Sequence, residues 1–427
     1  MSAEKAYDVI VAGTGPGGGT VARELTNRGK KVLMLEWGPY EPIRGSALQT
    51  AYQLAFPGKG LLITNRALAL VRGITTGGSS VFYYETAFQP PLDLLKKYGV
   101  DVETEVAEAR AELPIAPLSD DLMGPMAKRL MQSGQELGFD WQKLPKYIYQ
   151  DKCSPDCWRC QYGCPYGAKW GARMYVDEAL ENGADLIARA KVDRVITDGR
   201  QALGVEYTRL GQKHRALADQ VVVAAGGIGS PMILRGTGIK DAGYNFFFDP
   251  VITVNGTVDD IDGGREIPMA AGLNVVSDGY MMTDMTVPME LYALTALTAM
   301  RPDRAFYHRN TLTVMIKIKD DLGGKLSHYG GVRKPLSKRD LEKLNTGAQA
   351  ATRVLKNTGA HSIYKSWYLA SHPGGTAKIN DIVDSNLKTK YECLYVCDCS
   401  VIPESWGLPP TLTLISLGKR LAKHLTN

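Results

Sequence analysis

The 427-residue sequence holds no run of about 18 apolar residues, so it offers no candidate for a membrane-spanning helix. Its first eight residues are polar. Neither an apolar signal core nor a twin arginine precedes the first apolar stretch, so the expected location is the cytoplasm. Charge of one sign is not in excess either. Fifty Lys and Arg face 45 Asp and Glu, a net +5, which argues against a nucleic-acid partner. No internal repeat and no low-complexity linker is visible. Histidine is scarce at six residues, so one that falls inside a recognisable pattern carries weight. What is present in quantity is glycine, 45 residues, pointing to tight turns and to backbone approaching a ligand. Seven cysteines are an odd number, and four of them crowd into residues 153–164. In a reducing compartment such crowding reads as ligands rather than disulfides.

Along the chain, Tyr7 to Ala12 reads as a buried strand, Gly18 to Asn27 as a helix and Lys31 to Glu36 as a second strand, a βαβ beginning. A second glycine loop runs from Gly73 to Ser80. Leu94 to Glu112 is helix-like and ends before Pro114 and Pro117. Asp185 to Thr197 and Ala202 to Tyr207 read as strands, and Gln220 to Ala225 as a continuous apolar one. Beyond Pro250 the pattern loosens into short β-like stretches such as Thr311 to Ile318, with one helix from Lys338 to Asn357. The tail, Cys393 to Thr426, is strand, loop and helix. The expected fold is α/β. A Rossmann-like nucleotide domain is assembled from residues 1–90, 176–249 and 371–427. A cap with the cysteine segment spans 91–175, and an α+β substrate domain with an antiparallel sheet spans 250–370.

Gly13-Thr-Gly15-Pro16-Gly17-Gly18 fits G-x-G-x-x-G and lies between a strand and a helix, as the dinucleotide fingerprint requires. Gly13 permits the tight turn, Gly15 lets backbone approach a pyrophosphate, and Gly18 lets helix and strand pack. The helix N-terminus then offers free N–H groups to phosphates. Glu36, followed by Trp37, ends the second strand, where its carboxylate can accept from a ribose diol.

Three further blocks complete a pattern. They are Arg72-Gly-Ile-Thr-Thr-Gly77-Gly78-Ser79-Ser80; Ala225-Gly226 followed by Ser230-Pro-Met-Ile-Leu; and a tail of His372-Pro-Gly-Gly-Thr, Asp398 with Pro403, and Pro410-Thr411. In this order the blocks resemble the glucose–methanol–choline (GMC) oxidoreductase family. The resemblance implies bound FAD, with Gly13, Gly15 and Gly18 at the pyrophosphate and Glu36 at the adenosine ribose. It implies Gly77, Gly78 and Ser79 along the middle of the cofactor, Val192 at adenine through its backbone, and Ala225 and Gly226 over the adenosine side. Asp398 falls at the ribityl or phosphate region, and Pro410 and Thr411 at the isoalloxazine ring. By the same resemblance His372 is the base that takes a hydroxyl proton while hydride leaves carbon for the flavin, a task suited to an imidazole. One departure stands out. The second His or Asn that the family places before the last block is Pro409, which offers no side-chain partner and no N–H. Tyr83 and His361 are candidate substitutes.

Cys153-x3-Cys157-x2-Cys160-x3-Cys164-Pro165 ends in the C-x2-C-x3-C-P spacing of ferredoxin runs. Some dehydrogenases of the family carry a three-iron cluster in a similar insertion. An iron–sulfur cluster, with 4Fe-4S ahead of 3Fe-4S, is the leading expectation, and structural zinc or unliganded thiols are the alternatives. Cys393, Cys397 and Cys399 read as core cysteines. The function expected is an FAD-dependent dehydrogenase that oxidises a CH–OH group of a small molecule and passes electrons through the cluster to a redox protein or partner subunit. Reduction or desaturation of a C=C bond and a non-catalytic electron-relay subunit are the alternatives.

Overall fold

The computed structural model describes residues 7–65, 68–275, 277–328 and 330–426. The polar start, residues 1–6, lies outside them. Tyr7–Ala12 forms the middle of a parallel sheet, with Val32–Glu36 on one side and the second half of Gln212–Val223 on the other. Asp185–Ala188 extends it beyond Val32–Glu36, and Leu394–Val396 pairs with Val221 to Val223. Val9 to Ala12, Val32 to Leu35 and Val221 to Val223 are all buried, as strands covered on both faces must be. Segments far apart in sequence thus build one sheet. Its strands end on a common edge, at Ala12, Glu36, Val223 and Val396, and the loops that leave that edge form the crevice where such sheets bind ligands.

Two expected elements break where the chain must turn. The stretch read as one helix from Leu94 to Glu112 is two, Leu92–Lys97 and Glu103–Glu112, parted around Gly99 at φ +78°. Asp185 to Thr197 divides at Arg189, φ +59°, into Asp185–Ala188 in the parallel sheet and Ala190–Thr197 in an antiparallel extension with Ala202–Arg209. The strand expected from Gln220 starts earlier, at Gln212. Its polar first half pairs with Ala202–Arg209 and was masked by the lack of an apolar run. Thr311–Ile318 and Lys338–Asn357 form as expected, the latter with a reciprocal capping box between Ser337 and Asp340.

The second sheet is largely antiparallel, with Pro250–Thr257, Thr311–Ile318, Tyr280–Asp284 and Ala271–Val275 side by side. Leu61–Ile63 and Ala69–Val71 extend it at one edge and Gln142–Lys143 at the other. Because side chains alternate along a strand, the two faces differ. Leu312, Val314, Ile316 and Ile318 join Ile252, Val254 and Met282 in one core with helices Pro125–Glu136 and Lys338–Asn357. The opposite face carries Thr313, Met315 and Lys317, with Val251 and Met281 in register with Lys317. All eight residues of Thr311–Ile318 are buried, so this second face is covered too. Among the described residues no helix is long and apolar enough to cross a membrane.

Candidate active site

The fingerprint glycines divide into packed and open positions. A Cβ on Gly13 would stand 2.3 Å from the Ala224 carbonyl oxygen, and one on Gly18 2.1 Å from that of Gly13. At Gly15 a Cβ would meet nothing within 4 Å, so this is where a ligand has room to approach the backbone. Pro16 opens helix Pro16–Thr26, and Gly17 lets that helix sit against the Cys397 carbonyl. Glu36 is buried. Its Oε2 accepts from the Thr14 N–H (3.1 Å) and hydroxyl (2.7 Å), and its Oε1 accepts from the Gly38 N–H at 2.7 Å. Burial pushes its carboxyl up, against these donors. The Thr14 hydroxyl in turn accepts from the Gly77 N–H at 3.2 Å, which lays the second glycine loop on the first. Ser79 Oγ accepts from the Gly73 N–H, and Ser80 Oγ donates to the Gly77 carbonyl, closing that loop.

At the outer end the Arg72 guanidinium and the Lys59 and Lys191 amines stand 5.5, 5.1 and 5.6 Å from the centre of the Trp37 ring, and Val192 follows in a buried strand position. Asp398 caps its surroundings: Oδ2 accepts from the Gly226 N–H and the Ser230 hydroxyl, and Oδ1 from the Ser400 N–H. The Ala225 N–H donates to Ser230 Oγ. Pro410 precedes, and Thr411 begins, the last helix, Thr411–Thr426, which packs on helix Pro16–Thr26 where Gly418 meets Gly17 and Thr20. The four separated blocks thus meet around the Gly13–Gly18 turn, Gly78 against Gly15, Ala224 against Gly13 and the Cys397 carbonyl against Gly17, and the open backbone at Gly15 fits a dinucleotide.

His372 is positioned by its own block. Its N–H donates to the Phe248 carbonyl (3.1 Å), Gly374 and Phe247 exchange backbone hydrogen bonds, and the Thr376 hydroxyl donates to Gly227. Gly227 permits this contact, since a Cβ there would be 1.9 Å from the Pro373 carbonyl oxygen. The result places the imidazole next to Asp249 and against the polar face of the second sheet. Lys317 Nζ lies 2.8 Å from His372 Nδ1 and 3.2 Å from Asp249 Oδ2, and Asp249 Oδ2 is 3.3 Å from Nδ1. Ser405 donates to Asp249 Oδ1 at 2.9 Å. No described residue hydrogen-bonds His372 Nε2. Burial and the Lys317 ammonium push the His372 pKa down to about 4, only partly opposed by Asp249, so the ring is neutral at ordinary pH. Burial works against the Asp249 carboxylate, but Lys317, His372 and Ser405 outweigh it and hold its pKa below the usual range.

The candidate substitutes for Pro409 are elsewhere: Tyr83 donates to the Trp170 carbonyl, and His361 is exposed beside Asp259. The partners of His372 Nδ1 are Lys317, Asp249 and, at 3.4 Å, the Ser371 hydroxyl. The signal for Lys317 was present, as the one charged residue in an otherwise apolar or threonine-bearing strand, T-L-T-V-M-I-K-I. Beside them Met269, Met281, Met315 and Val251 form an apolar cluster with Tyr84, Phe88, Met285 and Leu408, the residue before Pro409.

The cysteines Cys153, Cys157, Cys160 and Cys164 all line one pocket, together with Lys169. None is disulfide-bonded. Among the described residues no group of three or more His, Cys, Asp or Glu side chains is drawn together as a single metal ion requires. Lys169 donates to the carbonyls of Val81, Tyr83 and Cys160, and stands 3.9 Å from Glu85, which Lys146 approaches to 3.2 Å. Cys397 and Cys399 are buried, and Cys393 is half-buried.

A parallel sheet with a glycine-rich dinucleotide turn at its carboxyl edge, joined to a second, largely antiparallel sheet with a histidine set against its polar face, is the plan of a two-domain redox enzyme. The sequence matches the descriptions of the GMC oxidoreductase N-terminal region over residues 7–251 and of its C-terminal region over residues 331–418, and the chain belongs to the GMC oxidoreductase family. It is an FAD-dependent oxidoreductase. Among its relatives is an uncharacterized protein of Methanocaldococcus jannaschii, 29% identical over 98% of this chain and 100% of the relative. A long-chain-alcohol oxidase of Arabidopsis thaliana is 24% identical over 98% of this chain and 68% of the relative. The fold matches that of pyridoxine 4-oxidase from Mesorbium loti with a TM-score of 0.77, 16% identity and coverage of 98% of this chain and 99% of that one. It matches formate oxidase with a TM-score of 0.75, 15% identity and coverage of 98% of both.

Proposed function

We propose that this protein is a dehydrogenase that oxidises a CH–OH group of a small organic substrate and hands the electrons to a redox protein. The observation that carries the reading is His372: its Nε2 is free of protein partners, its other nitrogen is held by Lys317 and Asp249, and a methionine-lined cluster lies beside it. The names of relatives and neighbours, a long-chain-alcohol oxidase and a pyridoxine 4-oxidase, point to the same bond type. FAD, when bound, supplies the hydride acceptor; Gly15, Gly77, Gly78, Ser79, Glu36 and Thr411 are the residues that would hold it. The substrate carbon lies over the methionine cluster and the substrate oxygen at Nε2, which receives the hydroxyl proton.

The reading as a dehydrogenase rather than an oxidase rests on the cysteine pocket. An iron–sulfur centre on Cys153, Cys157, Cys160 and Cys164 supplies a one-electron outlet when bound. Its fit is supported by two buried lysines, Lys146 and Lys169, sharing the single carboxylate of Glu85 beside the four sulfurs, an excess of positive charge suited to an anionic thiolate-bound group. The test is anaerobic titration of purified holoenzyme with 1-decanol, pyridoxine and cyclohexanol, followed by flavin absorbance, with flavin, iron and sulfide quantified on the same sample. Bleaching by at least one alcohol, with FAD released on denaturation and iron and sulfide in equal amounts, is expected. Failure of every alcohol to bleach the flavin sinks the CH–OH assignment, and stoichiometric zinc without sulfide removes the electron outlet.

A further inference from the structure

The charged side chain that meets His372 comes from the second sheet, at Lys317. Residues Gly407 and Leu408, just before Pro409, lie over the end of the strand that carries Lys317: a Cβ on Gly407 would stand 2.8 Å from the Lys319 nitrogen. Lys317 itself is buried among a small set of polar groups. Asp249 reaches it from the turn before Pro250–Thr257, His372 from the block after Leu369–Ala370, and Ser405 closes the far side of Asp249. Cys399 from the tail turn and Asp320 just beyond its own strand are the remaining titratable neighbours, and Asp320 is itself paired with Lys334 at 3.2 Å.

An ammonium has three donors and no acceptor. At 2.8 Å from Nδ1 it can only donate, so Nδ1 must be the unprotonated nitrogen and the neutral ring must carry its hydrogen on Nε2. In that form the imidazole offers the substrate a donor and cannot take a proton. We propose that Lys317 is a positioning residue that selects the tautomer of His372, so that the ring is a hydrogen-bond donor to the substrate oxygen while Lys317 is an ammonium and a base only once Lys317 has become an amine. This rests on the reading of His372 as the group at the substrate oxygen.

With Lys317 neutral, the ring carries its hydrogen on Nδ1 and has a lone pair at Nε2. The substrate O–H bond breaks and its proton joins Nε2. The C–H bond breaks and its electron pair leaves with hydrogen for the flavin. The Nδ1 proton passes to the Lys317 amine. The alcohol would end as a carbonyl, FAD when bound would supply the two-electron acceptor, and the proton would rest on Lys317 beside Asp249 rather than on the ring. Burial pushes the Lys317 pKa down, against the pull of Asp249, which brings the amine form within reach.

The tautomer can be read without turnover. Long-range 15N–1H correlation on 15N-histidine-labelled holoenzyme separates Nδ1–H from Nε2–H rings, and His372→Asn assigns the signal among six histidines. Near pH 7 the His372 ring should be Nε2–H, and it should convert to Nδ1–H as pH rises and Lys317 titrates. In Lys317→Met, Nδ1–H should be present already at neutral pH, donated to Asp249. In Asp249→Asn the conversion should move to lower pH, because the carboxylate that holds the ammonium is gone. In parallel, the anaerobic rate of flavin reduction by 1-decanol should rise roughly tenfold per pH unit below an alkaline limb, as for a base that must lose a proton. That limb should shift acidward by a unit or more in Lys317→Met. A parent ring that is Nδ1–H at neutral pH, or a tautomer and rate profile unchanged in Lys317→Met, overturns the proposal. If no alcohol reduces the flavin, the spectra still decide the tautomer, so failure of the functional reading and failure of this inference are told apart.

Discussion

At the polar face of the second sheet, one buried lysine, Lys317, meets one buried aspartate, Asp249, with the Nδ1 of His372 beside both. Beside the cysteine pocket, two buried lysines, Lys146 and Lys169, share one buried glutamate, Glu85. Both sites meet the rule that buried charge must be paired, but they balance differently. The first is neutral as a pair, so a proton can move between lysine and imidazole without leaving a net charge stranded in the interior. The second has one positive charge too many for its carboxylate, and both Glu85 oxygens lack a hydrogen-bond donor apart from those ion pairs. A balanced site suits proton movement, and an unbalanced one suits a resident anion.

The comparison can be broken first at the cysteines. Cys157→Ser or Cys160→Ser should remove essentially all iron and the broad absorption beyond the flavin bands while FAD stays bound, as metal analysis and visible spectra would report. Full iron retention in both would mean that the positive excess serves something else. At the other site, His372→Ala should slow flavin reduction by about 10²–10⁴-fold with FAD retained, the usual cost of losing a general base. An unchanged stopped-flow rate would make His372 structural.

The two lysine sites should also differ in what they contribute to stability. Lys146 donates to the Tyr84, Pro268 and Met269 carbonyls as well as pairing with Glu85, so Lys146→Met leaves several buried carbonyls without their donor and Glu85 with Lys169 alone, at 3.9 Å. Its cost should be about 3–5 kcal/mol by denaturant unfolding. Lys317→Met leaves Asp249 with Ser405 and His372, and should cost less, about 1–3 kcal/mol. Equal losses would show that the balance of charge is not what separates the sites.

A third buried carboxylate sharpens the contrast by having no lysine at all. Glu266 accepts from the Met126 and Ala127 N–H groups at the start of helix Pro125–Glu136, and burial pushes its pKa from 4.5 up to about 7. The folded state therefore binds the extra proton between these values, so this group's contribution to stability falls as pH rises through that window. Glu266→Gln should flatten the fall in melting temperature between pH 5 and pH 7, the smallest of these effects, with little change of slope outside that range.

Legibility in the sequence followed the range of the contacts. Gly13, Gly15 and Gly18 could be assigned because their roles depend on a strand, a turn and a helix adjacent in the chain, and the structure shows the same division into packed and open glycines. The strand Thr311–Ile318 and the helix Lys338–Asn357 were legible for the same reason. Breaks were harder. Arg189 at φ +59° carries no glycine to announce the turn, so Asp185 to Thr197 read as one strand.

The sequence by itself determined the family, the Rossmann-type nucleotide fold, the place of His372 in its glycine-bearing block and the crowding of four thiols, because each depends on neighbours within a few residues or on motifs with local steric causes. Only the tertiary structure decided what His372 does with its second nitrogen. Lys317 is 55 positions before it and Asp249 is 123. They meet there because Phe247 and Phe248 bond back onto the His372 block while strand pairing sets Val251 against Lys317. A lysine in a buried strand has no fixed partner until sheet register and a distant turn bring one within hydrogen-bonding reach, and that register is set by the packing of the whole second domain.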